Sequence, residues 1–78
     1  MIVRNIKLKD IKIKEDFKRT PPNKYKMKQK WIYYRKTGTL QSDIVIDKDG
    51  YLINGYTSYL IAEADGIKKL DVIIKNNR

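Results

Sequence analysis

The apolar positions of this chain change period several times along its length. From Ile2 to Leu8 they fall at Ile2, Val3, Ile6 and Leu8, loosely in the two-residue phase of a strand. Ile11-Lys12-Ile13 alternates cleanly and predicts a short second extended piece. Thr20-Pro21-Pro22-Asn23 then interrupts the pattern, because two prolines cannot continue a ladder and they restrict the residues before them. From Lys24 to Lys36 the period lengthens to that of a helix, with Asn23 placed to cap it. Met27, Trp31 and Tyr34 form one stripe, expected to face the core, and Tyr25 and Ile32 lie on a neighbouring stripe. Lys24, Lys28 and Arg35 fill the strip between them, and Gly38 is a natural stop.

The second half has its own punctuation. Ile44-Val45-Ile46 is a β-rich run, Asp49-Gly50 is a strong hairpin signal, and Tyr51-Leu52-Ile53 reads as the returning strand. Asn54-Gly55 opens a second helix that runs to Asp65 and stops at Gly66, with Leu60, Ile61, Ala64 and Thr57 expected on its buried side. Asp71-Val72-Ile73-Ile74 is a final strand. The order β-β-α-β-β-α-β predicts an α/β (α+β) fold, a small mixed β-sheet covered by two helices, as a single domain over residues 1–78.

Composition narrows the chemistry. The 78 residues contain no cysteine and no histidine, which removes disulfides, thiolate sites and the usual base near neutral pH. No apolar run approaches the roughly 20 residues that span a bilayer. The first residues lack the pattern of a signal peptide, so a cytoplasmic protein without membrane association is expected. Charge is unevenly placed. Up to Lys36 there are thirteen Lys or Arg against Asp10, Glu15 and Asp16, whereas from Thr37 onward five bases face six acids. The whole excess of the formal +9 therefore sits in the first half, as a surface for a polyanion requires.

Candidate chemistry concentrates in two places. At Asn54, Gly55, Tyr56, Thr57 and Ser58 a strand gives way to a helix through a small-residue turn. The unpaired amides and dipole of a helix N-terminus favour an anion, and two hydroxyl residues follow. The second place is the basic set Lys12, Lys14, Lys18, Arg19, Lys26, Lys28, Lys30, Arg35 and Lys36 with interleaved aromatics. Of these aromatics Tyr25, Tyr33 and Tyr59 are expected to be surface platforms on which single-stranded bases stack. Asp43, Asp47 and Asp49 cluster near the hairpin, but Asp49 is explained as a turn residue, and no metal site or cofactor is expected.

Several of these segments resemble the ParB N-terminal and sulfiredoxin superfamily, in particular its short, stand-alone bacterial, phage and plasmid members. The likeness is carried by Ile44-Val45-Ile46-Asp47, Gly50-Tyr51-Leu52-Ile53-Asn54-Gly55-Tyr56, Tyr59-Leu60, Ala62 and Gly66-Ile67 with Val72-Ile73. Pro21-Pro22-Asn23-Lys24 and Tyr33-Tyr34-Arg35-Lys36-Thr37-Gly38 match its first half. The resemblance implies a phosphate site at the Gly55 turn, with Lys24 as a cation supplied from the other helix. It also implies arginines at the positions held here by Thr57 and Ser58, and in sulfiredoxins a catalytic cysteine where this chain has Tyr56.

These departures predict a degenerate phosphate pocket and binding rather than turnover. The expected function is a small non-catalytic domain that contacts nucleic acid through phosphates, with a mobile-element origin implied by the resemblance. One alternative is a protein–protein module that binds an acidic surface of a host factor, and another is a residual nucleotide-binding switch. A monomer or weak homodimer is expected, and sequence-specific operator recognition is not.

Overall fold

A computed structural model of the chain describes residues 2–75. Strand β1 (Ile2–Lys7) leads through a single 3-10 turn at Leu8–Asp10 to a short helix α1 (Glu15–Arg19). Helix α2 (Lys24–Thr37) follows, then the hairpin of β2 (Val45–Asp47) and β3 (Leu52–Asn54). Helix α3 (Tyr56–Ala64) and strand β4 (Lys69–Lys75) complete the order.

The four strands form one mixed sheet in the order β1-β4-β2-β3. β1 pairs antiparallel with β4 from Ile2↔Ile74 to Lys7↔Lys69, and β4 runs parallel to β2 with Val45 opposite Ile73. The β2–β3 hairpin is antiparallel, with an irregularity of register between Val45 and Ile46. Its turn is organised by Asp47, whose Oδ1 accepts from the amides of Asp49 and Tyr51, both at 2.9 Å. That carboxylate is thus part of the turn.

The expected fold class holds, with two differences in detail. The alternation at Ile11-Lys12-Ile13 does place Ile11 in the core, yet the segment forms only one bridge, Lys12 to Tyr51, rather than a strand. It is squeezed between the 3-10 turn and α1, a third helix that the sequence pattern did not reveal. Glu15 and Asp16 in its first turn and Lys18 and Arg19 in its last complement the helix dipole. No helix among the described residues is long and apolar enough to cross a membrane.

The buried core is thin: Leu8, Ile11, Ile44, Ile46, Leu52, Ile61, Ala62 and Val72. On α3 the buried side is Ser58, Ile61 and Ala62, so the expected face is rotated; Ala64 is exposed, and Thr57 and Leu60 are half-buried. The spacing of three and four from Ser58 accounts for this, with a buried serine where an apolar residue was anticipated. Helix α2 buries no residue fully. Its Met27, Trp31 and Tyr34 are half-buried because the helix packs against α3 rather than over the sheet. Its ends match the sequence: Asn23 Oδ1 accepts from Tyr25 N at 2.7 Å, and Gly38 takes the left-handed conformation at φ 76°. Tyr34 donates its hydroxyl to Asp65 Oδ2 at 2.6 Å, tying α2 to the end of α3 and raising the phenol pKa above its ordinary value.

Gly55, between β3 and α3, has φ 87° and is the most tightly packed of the four glycines. A Cβ there would overlap the Asp43 carbonyl oxygen and lie 2.9 Å from Ile44 Cα. Gly38 has a similar φ but open space around it. Gly38→Ala should therefore cost about 1–2 kcal/mol, the left-handed penalty alone. Gly55→Ala should cost about 2–4 kcal/mol because overlap with backbone is added. Urea denaturation of the two variants checks this difference.

Candidate functional site

The Gly55 turn opens onto a cavity of about 450 Å³, and the close approach that forces glycine there also shapes it. Because the Gly55 backbone lies against Asp43 and Ile44, the face where a Cβ would stand is filled by protein. The glycine is thus demanded by packing, a different reason from the phosphate site that the resemblance implied at this turn. Asn54 Oδ1 accepts from the Gly55 amide at 2.9 Å. Among the described residues no side chain caps the N-terminus of α3, which leaves its first-turn amides free for another partner.

The other residues of the turn divide by role. Tyr56 packs its ring on Phe17 at 5.3 Å and on Tyr59 at 6.2 Å, closing one wall of the cavity. Thr57 is half-buried on the cavity wall. Ser58 is 1% exposed and donates its hydroxyl to the Ser42 carbonyl at 2.8 Å, so its proton is committed to the fold. Tyr59 is half-buried against the core, which corrects its expected role as a surface platform. Burial raises its pKa, with Glu63 and Tyr56 adding to the effect.

The cation of this cavity is Lys30. It is half-buried, lines the cavity and donates from Nζ to Ser42 Oγ at 3.2 Å. Lys24, expected to serve the pocket, lies six residues earlier in α2 and lines a separate apolar groove with Pro21, Pro22, Met27, Trp31 and Leu60. Asp43 also lines the Gly55 cavity and opposes the charge of Lys30. Periodicity alone could not single out Lys30 among the lysines of α2, nor bring Ser42 to it, because their contact depends on how α2 docks.

The other basic residues singled out from the sequence form two groups. Lys12 and Lys14 place their ammonium groups 5.1 and 5.4 Å from the Tyr51 ring centroid, a cation–π arrangement beside the hairpin. Lys18 and Arg19 are exposed at the end of α1, and Lys26, Lys28, Arg35 and Lys36 are exposed on α2. Arg35 lies 5.9 Å from the Trp31 ring. Tyr25 and Tyr33 are 70% and 41% exposed on the same helix, where a base can reach them.

No family model matches the chain, and no curated protein matches it. Solved structures do match. A Pnob8-like ParB-N domain superimposes with TM-score 0.81 at 18% identity, over 99% of this chain and 30% of that one. The C-terminally truncated chromosome-partitioning protein ParB from Caulobacter crescentus, complexed with CTP-gamma-S, gives TM-score 0.74 at 12% identity, over 100% of this chain and 46% of that one. Sulfiredoxin from Arabidopsis thaliana gives 0.75 at 19% identity, over 99% of this chain and 88% of that one. The chain has a ParB/sulfiredoxin-like fold, and it spans less than half of the ParB chains it matches.

The two hydroxyl residues should separate experimentally. Ser58→Ala removes the buried donor to the Ser42 carbonyl and should destabilise the domain by about 1–3 kcal/mol. Thr57→Ala, on the cavity wall, should stay within about 0.5 kcal/mol of the parent. Urea midpoints of the two variants measure this.

Proposed function

We propose that this chain is a non-catalytic binding domain whose basic α2 face engages nucleic acid through its phosphates. The observation that supports this is the make-up of α2. Its 14 residues carry Lys24, Lys26, Lys28, Lys30, Arg35 and Lys36, no acid, and no fully buried side chain. Lys24 and Lys28, like Lys26 and Lys30, stand four residues apart, where like charges destabilise a helix by about 0.2–0.5 kcal/mol per pair. A helix with self-repulsion and a shallow packed face is poorly explained by folding, and a polyanion relieves that repulsion. Lys18 and Arg19 extend the same charge: from Phe17 to Ser42 the chain contains no acid. Lys12 and Lys14 lie outside this segment and belong to the hairpin side.

About three to five of these cations can meet phosphates together, since helical residues point several ways. The log of affinity should then fall with log salt at a slope of about −3 to −4 on duplex, with micromolar or weaker binding indifferent to sequence. Lys28→Glu with Arg35→Glu should weaken all sequences alike and flatten the slope. Tyr33→Ala should matter for single strands only. Titration of duplex and single-stranded oligonucleotides across salt checks this. Absence of binding by the folded chain at about 50 mM salt overturns it and favours an acidic protein partner.

A second function is supported by the Gly55 cavity, where Lys30 and the uncapped amides of α3 could hold phosphate weakly, as in a residual nucleotide site. Thr57 is the place to strengthen it, because Ser58 is committed to Ser42. Thr57→Arg should raise affinity for CTP by about tenfold, the worth of one charge-assisted contact, and neither form should release phosphate from CTP or ATP. Calorimetry and a phosphate-release assay test both statements. No gain in a folded Thr57→Arg chain means that the cavity does not hold phosphate.

A further inference from the structure

At the C-terminal end of α3 lies another cavity, of about 590 Å³, larger than the Gly55 cavity and sharing no lining residue with it. Its floor is apolar. Leu8 is 7% exposed, and Tyr59 and Ile67 are half-buried beside it. The rim is cationic: Lys7, Lys9, Lys68 and Lys69 line the cavity with one acid, Glu63.

Three of these lysines are held there by backbone pairing. Lys7 and Lys69 are direct cross-strand partners at the end of the β1–β4 ladder. Such partners have Cβ atoms roughly 4.5–5.5 Å apart, and like charges in that position are destabilising. Leu8 N donates to the Lys68 carbonyl at 2.8 Å, which fixes the chain bearing Lys68 against the chain bearing the floor. The C-terminal dipole of α3 favours a nearby cation, but it does not explain four of them or an opposed pair.

We propose that this cleft binds a small amphipathic anion, whose ring-sized apolar body sits on Leu8, Tyr59 and Ile67 and whose phosphate, sulfate or carboxylate is held by the lysine rim. The volume falls within the roughly 300–1,000 Å³ of small-ligand sites, and an apolar floor with a few convergent charges is their usual make-up. A nucleic-acid backbone lacks the apolar body that the floor would bury. Inorganic phosphate lacks it too, and a neutral hydrocarbon leaves the rim unpaired. The site is independent of the function proposed for α2 and of the Gly55 cavity.

The test is titration of the whole chain with naphthyl phosphate, inorganic phosphate and naphthol at about 150 mM salt, where diffuse surface attraction is screened. Calorimetry gives affinities and amide NMR gives the location. Naphthyl phosphate should bind at least about tenfold more tightly than either fragment, with shifts centred on Leu8, Glu63, Ile67 and Lys68. Lys7→Ala with Lys69→Ala should weaken it about tenfold or more without lowering the urea midpoint, since the like-charge pair is gone. Lys28→Glu with Arg35→Glu should leave it unchanged. Shifts centred on Gly55–Ser58 or on α2 would overturn the proposal. So would inorganic phosphate binding equally well, no binding at all, or an affinity in the Lys7→Ala, Lys69→Ala variant within about twofold of the parent.

Discussion

The contact of the Gly55 backbone with Asp43 and Ile44 is the constraint on which the rest of the molecule depends. Residues 42–44 have no regular structure of their own, yet three elements meet there. Besides Gly55, α3 sends Ser58 to the Ser42 carbonyl, α2 sends Lys30 to the Ser42 hydroxyl, and β4 donates Ile73 N to the Ile44 carbonyl at 2.9 Å. A side chain at position 55 would push α3 away and stretch all of these together. Sheet, both longer helices and the Gly55 cavity are therefore placed by one close approach of two backbones.

Around that point the molecule separates folding from charge. The core belongs to the sheet, α3 and the segment containing Leu8 and Ile11, and all of its members are apolar except Ser58. Most of the excess positive charge belongs to α2, which buries no residue completely. Among the cations of α2, Lys30 is half-buried, with a hydroxyl partner.

How legible this was depended on the range of the interactions involved. Strands β2, β3 and β4, the caps of α2 and the glycine stops follow from local patterns, and the structure carries them where those patterns lie. The extended piece near Lys12 failed because its alternation was real but too short to pair. Helix α1 escaped notice because five residues show little period. The α3 face differs from the apolar periodicity because Ser58 is polar, yet its hydroxyl finds a buried carbonyl 16 residues away. At the site, Gly55 was found for an incomplete reason, and Lys30 took the place expected of Lys24. Both corrections turn on long-range packing, which no spacing within one helix encodes.

Helix α2 is joined to the remainder by side-chain ties at Tyr34–Asp65 and Lys30–Ser42 and by a shallow apolar contact with α3. Its outer lysines touch none of the core. Selection can thus add, remove or reposition charges on that helix with little effect on whether the domain folds. Under the binding role proposed for α2, a scaffold arranged in this way is free to drift from one partner to another through viable intermediates, since the charges that would choose the partner are not the residues that form the core.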